Sequence, residues 1–178
     1  DGEPVWNQVL ADAAADTLKP RYQPQSPFDL AEAPVPRFDL LGGRERARFT
    51  IQTARGCPLA CDFCGASRML GPFREKPVDR IQRELEALGD LKRRPYIELA
   101  DDNTFAGRRG TAGLLDALGR SGARYFTEAD WRIGERPDIL ESLAASGCVQ
   151  VLVGFESRIH THRGMGAKSV PLDRMVAA

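Results

Sequence analysis

A chain of 178 residues, 42% hydrophobic and 28% charged, is long enough for one soluble domain with a core of its own. Lys plus Arg and Asp plus Glu stand at 25 each, so no global field draws the chain to nucleic acid or to an anionic membrane surface. No apolar run approaches the ~20 residues that span a bilayer, and the acidic, amphipathic opening DGEPVWNQVL does not read as a signal peptide. The expected location is the cytoplasm, where clustered thiols more often bind metal or do redox chemistry than pair as disulfides.

Residues 1–48 read as a region apart, a helix followed by a proline-rich linker. Pro4 sits where a first helical turn tolerates it. Val5, Val9, Leu10 and Ala13 follow at helical spacing, which predicts a short helix from Val5 to Thr17. Prolines then recur from Pro20 to Pro36. They remove backbone donors and bias the preceding residues away from helix, so this stretch is expected to be extended and irregular.

Residues 49–178 have a different rhythm. RFTIQT, from Arg48, alternates Phe49, Ile51 and Thr53 and suits a strand. After a cysteine loop, VDRIQRELEAL places Val78, Ile81, Leu85 and Leu88 on one helical stripe. A strand over 96–100, a helix over 111–120 and a strand over 123–129 come next. Pro137 opens a third helix, with Ile139, Leu140 and Leu143 expected inward and Gly147 able to end it. VQVLVGF, 149–155, is the fourth strand and the most apolar run in the chain. A further helix can start near Pro171.

The order βαβαβαβ implies a parallel sheet with right-handed crossovers. A doubly wound sheet and a (β/α) barrel both fit. Four strands are too few to close a barrel, which takes about eight. The fold class is therefore α/β, a partial TIM-like barrel of about four βα units. The chain stops before the later strands, so it reads as the N-terminal half of a core. It is expected to expose a sheet edge and to need a longer polypeptide for activity.

TARGCPLACDFCGAS sets Cys57, Cys61 and Cys64 in a C-x3-C-x2-C spacing immediately after the first strand. The carboxyl ends of strands form the ligand face of parallel α/β folds, and thiolates suit iron–sulfur clusters and zinc. Gly56, Pro58 and Gly65 let the loop turn back on itself. Three cysteines on a cubane cluster leave one iron open, whereas a structural zinc wants four ligands, which His160, His162 or Cys148 would have to complete. A Cys61–Cys64 dithiol pair is a third reading. Cys148, between a helix and an apolar strand, reads as a buried inert thiol. His160 and His162 read as solvated surface, and so do Arg74 and Lys76.

RGCPLACDFC resembles the signature loop of radical S-adenosylmethionine enzymes, C-x3-C-x-aromatic-C, with Phe63 as the aromatic. IELADDNTF, YFTEADWRI and SGCVQVLVGFES are similar to the branch that often carries an upstream cobalamin-binding domain. The likeness spans about residues 34–160. It implies a [4Fe-4S] cluster on Cys57, Cys61 and Cys64, reductive cleavage of S-adenosylmethionine to a 5′-deoxyadenosyl radical, and a cobalamin-dependent methyl transfer or rearrangement on a small-molecule substrate. An electron donor of the flavodoxin or ferredoxin kind follows.

The same likeness implies cofactor-binding residues. Phe63 would lie beside the adenine, or pack the loop. Asp101, Asp102 and Asn103 stand where the methionine ammonium is held, though Asp102 and Asn103 can instead cap the next turn. Glu128 and Asp130 would reach the ribose or carboxylate region. Glu156 and Ser157 would meet ribose hydroxyls, with an ion pair from Glu156 to Arg132 or Arg158 as the other reading of a buried carboxylate.

Overall fold

The computed structural model describes residues 1–41, 48–59, 61–91, 94–156 and 171–178. In chain order the helices and strands are α1 (Trp6–Ala14), β1 (Phe49–Ile51), β2 (Ala54–Arg55), α2 (Gly65–Met69), β3 (Arg74–Glu75), α3 (Val78–Leu91), β4 (Tyr96–Leu99), α4 (Thr111–Ser121), β5 (Arg124–Asp130), α5 (Pro137–Ala145), β6 (Cys148–Gly154) and α6 (Leu172–Ala177). Helix α1 stops at Ala14 rather than Thr17, and Asp16 then takes φ +57.

Four strands pair in parallel in the order β1-β4-β5-β6. Each new strand adds to the same edge, with α3, α4 and α5 as the successive crossovers. Right-handed crossovers that never reverse direction keep every helix on one face. A doubly wound sheet reverses and covers both faces, so this arrangement is the partial barrel. The helices pack in series, α3 on α4 and α4 on α5.

The core lies between sheet and helices. Ile51, Ile97, Leu99 and Tyr125 of the strands meet Ile81, Leu85 and Leu88 of α3, Leu114 and Leu118 of α4, and Ile139 and Leu143 of α5. Full burial of each such aliphatic side chain is worth about 1.5–3 kcal/mol. Leu140 departs from expectation and is exposed. Ile139 and Leu143, four apart, already form the buried stripe, and Leu140 sits one helical step around from it.

Among the described residues strand β6 pairs with β5 alone. Its Val151 and Val153 pack against the core, while Val149, Leu152 and the following Phe155 are exposed. Among the described residues the most apolar run of the chain is thus covered on one face. Helix α6 sets Met175 against Trp131, with Arg174 stacked 5.4 Å from the indole centroid. The N-terminal segment is seated on the core through buried Leu30 and Phe38. The Phe38 ring meets Phe49 edge-on at 6.2 Å. Among the described residues no helix is long and apolar enough to cross a membrane.

Candidate active site at the cysteine loop

The loop that carries the cysteines leaves the sheet just after β1 and is closed at its neck by the short antiparallel ribbon β2–β3. Gly56 takes φ +78 there, and a Cβ at that position would stand 2.9 Å from the Gly71 carbonyl oxygen. Glycine is required because both the dihedral and the backbone contact exclude a side chain. Farther along, the Cys61 amide donates to Leu59 O at 2.9 Å and the Cys64 amide to Cys61 O at 3.0 Å. These two tight turns compact the loop around Cys61 and Cys64. No disulfide joins any of the four cysteines.

Burial pushes the Cys57 thiol up, and the charges of Asp102, Cys61 and Cys64 add to the rise. Cys61 and Cys64 therefore lie within electrostatic reach of the Cys57 thiol. Among the described residues, no set of three or more His, Cys, Asp or Glu groups is gathered tightly enough to hold a metal ion. The donor chemistry fits an iron–sulfur cluster nonetheless. A thiol whose ionisation is disfavoured by burial and by neighbouring negative charge, as Cys57 is, gains from a cationic centre, and the loop carries two further thiols.

The strand-end carboxylates divide into two groups. Asp101 continues the buried line of Ile97 and Leu99. It accepts hydrogen bonds from the backbone N–H of Thr53 (2.7 Å) and of Ala54 (2.8 Å), and from the Thr53 hydroxyl. Arg108 lies 3.6 Å from it, with both side chains essentially solvent-free. Arg108 also donates to Thr53 Oγ1 at 2.6 Å and to Thr104 O at 2.7 Å. This network bolts the end of β1 to the end of β4.

Asp102 and Glu128 lie on the other side. Burial raises Asp102, reinforced by Asp101, while the Gly56 amide partly offsets the rise. Burial also raises Glu128, reinforced by Glu98, Asp102 and Asp101. Among the described residues neither forms an ion pair. Asp130 is a third case. Burial alone would raise it, but its bonds to Arg132 and Asn103 outweigh that and hold it below the usual carboxylate range. Arg132 Nε donates to Asp130 Oδ1 at 2.6 Å and Nη2 to Oδ2 at 2.9 Å, and Asn103 Nδ2 donates to Oδ2 at 2.9 Å. Asn103 Oδ1 also accepts from the Ala106 amide at 3.3 Å, so it caps the turn as well.

A cavity of about 520 Å³ opens between the loop and these strand ends, lined by Pro58, Leu59, Asn103, Asp130, Arg132 and Ile133 among others. Phe63 is 53% exposed, so it does not pack the loop. Glu156 is exposed, with φ +59, rather than buried at a strand end, and Arg132 is engaged by Asp130. Ser157, Arg158, His160 and His162 lie outside the described residues. Cys148 is half-buried, and burial raises its thiol.

The expectation of solvated roles for Arg74 and Lys76 is corrected. Lys76 is buried and donates to buried Glu84 at 2.6 Å, and Arg74 is held by Asp1 at 2.7 Å. Arg74 opens β3 and Lys76 follows it into the junction with α3, where a buried charge must find a partner. Sequence reasoning also missed the roles of Thr53 and Arg108, and it paired Arg132 with Glu156 where the structure pairs it with Asp130. Thr53 had a signal, since it continues the inward line of Phe49 and Ile51 and still carries a hydroxyl.

A family model described as the Radical SAM superfamily matches residues 51–170. The chain belongs to the radical SAM superfamily. Among curated relatives it is 25% identical over 163 residues to the bacteriochlorophyllide d C-12(1)-methyltransferase of Chlorobaculum tepidum, covering 87% of this chain and 36% of that protein. It is 27% identical over 162 residues to the hopanoid C-2 methylase of Rhodopseudomonas palustris, covering 85% of this chain and 31% of that protein. The chain thus spans about a third of the length of these relatives.

In fold it is similar to the cobalamin-dependent S-adenosylmethionine radical enzyme OxsB, solved with aqua-cobalamin and S-adenosylmethionine bound. The TM-score is 0.78 at 18% identity, covering 98% of this chain and 30% of that one. It is also similar to the radical S-adenosylmethionine methyltransferase TsrM of Kitasatospora setae, solved with cobalamin and a [4Fe-4S] cluster. There the TM-score is 0.52 at 18% identity, covering 71% of this chain and 28% of that one.

Proposed function

We propose that this chain is the cluster-bearing part of an enzyme that reductively cleaves S-adenosylmethionine, with Cys57, Cys61 and Cys64 as the ligands of a [4Fe-4S] cluster. The observation that carries the reading is the three-thiol loop at the carboxyl end of β1, in which the Cys57 thiol feels the charges of Cys61 and Cys64. Three protein ligands suit a cubane with one iron left open, whereas a structural zinc takes four. When bound, the cluster supplies an open iron for the amino and carboxylate groups of S-adenosylmethionine and one electron for its sulfonium.

The chain's own residues bind and orient. Asp102 and Glu128 form an acidic wall beside Cys57, suited to the ammonium and sulfonium of the cofactor. Phe63, exposed on the loop, offers its ring to the adenine. Glu156 and Ser157 serve the ribose hydroxyls. Asp130 and Asn103 hold Arg132 in place at the cavity wall. Asp101 acts at one remove, by fixing the backbone at Thr53 and Ala54 from which the loop departs.

For the whole protein we place a cobalamin-dependent methyl transfer or rearrangement on a small molecule, with electrons from a flavodoxin- or ferredoxin-type donor, in the cytoplasm. The likeness to two curated methylases supports methyl transfer, and that to two enzymes solved with cobalamin supports the cofactor. The residue set 1–48 then joins the core, 49–178, to the rest.

The test is anaerobic reconstitution with iron and sulfide, followed by metal analysis and electron paramagnetic resonance of the reduced protein with and without S-adenosylmethionine. A brown protein whose reduced-cluster signal changes on adding the cofactor is the expected result. A colourless protein that retains one zinc would replace this reading with a zinc-stabilised binding module.

A further inference from the structure

The cysteine loop, residues 56–73, leaves the fold and returns to it through a neck of two residue pairs, Ala54 with Glu75 and Arg55 with Arg74. Like charges directly opposite on paired strands repel, and so short a ribbon has little stability of its own. Burial, and the charge of Arg55 beside it, hold the Arg74 guanidinium below its ordinary proton affinity. Left to itself this neck would open.

The N-terminal segment supplies the missing charge. The Asp1 side chain is 6% exposed and lies between the two arginines. Its Oδ1 accepts from Arg55 Nη1 at 2.7 Å and its Oδ2 from Arg74 Nη1 at 2.7 Å. Oδ2 also accepts from the Phe28 amide at 2.8 Å, which ties the carboxylate to the chain leading toward the core. Glu3 takes a second Arg55 nitrogen at 2.7 Å. Arg74 reaches back into its own loop, donating to Leu70 O at 2.8 Å. One carboxylate therefore joins both stems of the loop to the segment before the sheet.

We propose that Asp1 is a positioning residue for the cysteine loop: by bridging Arg55 and Arg74 it holds the neck closed, so that Cys57, Cys61 and Cys64 stay in register for one cluster. This rests on the cluster reading above. A shift of the segment around Asp1 and Phe28 would act on the cluster site chiefly through the Asp1 carboxylate, which alone touches both arginines, with Glu3 on Arg55 and the Phe28 carbonyl on Arg74 (3.0 Å) as further links.

Hydrogen exchange and iron retention test it together. Asp1→Asn in the full chain is expected to speed amide exchange across 56–73 by about tenfold or more, since it leaves two largely buried arginines facing each other. Exchange in α3 and α4 stays unchanged. In the reconstituted protein, loss of iron to a chelator accelerates in step. Asp1→Asn combined with Arg74→Gln removes the repulsion and restores most of both, which loss of a merely stabilising contact would not do. Unchanged loop exchange in Asp1→Asn, or a double variant no better than the single one, overturns the proposal. Wild-type protein that takes up no iron overturns the cluster reading and the role given to Asp1, and the exchange data then show whether the clamp itself exists.

Discussion

Asp101 and Asp102 are neighbours in the chain and belong to different regions of the molecule. Asp101 points to the helix-covered side, where Thr53, Ala54 and Arg108 surround it. Asp102 points to the side that carries the cysteines, where it meets the Gly56 amide and feels the Cys57 thiol. The same division runs down the sheet. On the helix side Arg108, Thr53, Thr104 and Thr127 are joined by hydrogen bonds, and Leu118 is fully buried. On the other side Glu98, Asp102 and Glu128 repel, and Leu152 is exposed. A parallel strand alternates its side chains between the two, so adjacent residues serve stability and chemistry separately.

The largest effect expected from this division is at Asp101. Asp101→Ala leaves Arg108 buried without its carboxylate and frees two backbone amides, so the metal-free protein should lose about 3–5 kcal/mol in urea unfolding. Asp102→Asn should stay within about 0.5 kcal/mol of wild type in the same assay. Equal losses at the two positions would show that the side of the sheet does not decide the role.

Much of this was legible in the sequence, for reasons that differ by element. The helical stripe Val78, Ile81, Leu85 and Leu88 and the strands at 96–100 and 123–129 repeat with clear periods, and the observed α3, β4 and β5 fall on them. The ribbon of β2 with β3 and the helix α2 were not legible, because two to five residues are too short to show a period. The cysteine spacing marked the loop. The partition of Asp101 from Asp102 was hidden, since it depends on which way the chain turns after Leu99. Arg74 and Lys76 misled because their partners, Asp1 and Glu84, are fixed by the tertiary fold.

A pair of leucines sharpens the comparison with the charge removed. Leu118→Ala opens a cavity among α3, α4 and the sheet and should cost about 2–5 kcal/mol. Leu152→Ala, the same truncation on the exposed side of β6, should change stability by no more than about 0.5 kcal/mol. A loss at Leu152 as large as that at Leu118 would mean that the open side is covered in solution.

The smallest effect is the most specific to the acidic wall. Burial, with Glu98, Asp102 and Asp101 nearby, raises Glu128 above its ordinary value of 4.5. The folded state therefore holds this proton more tightly than the unfolded chain. Its contribution to stability is fully present below the unfolded value and is lost as pH rises through the raised folded one. Glu128→Gln removes the repelling charge, so it should gain a few tenths of a kcal/mol at pH 7, the partial exposure of the site limiting the effect. That gain should vanish near pH 4. Asp130 runs the other way. Its lowered proton affinity stabilises the fold above the unfolded value and fades as pH falls, so Asp130→Asn should cost stability at pH 7 and little in acid. Urea unfolding of both variants at the two pH values checks the signs. A Glu128→Gln difference that does not change with pH would take Glu128 out of the wall, leaving Asp102 as its one raised carboxylate beside the cysteines.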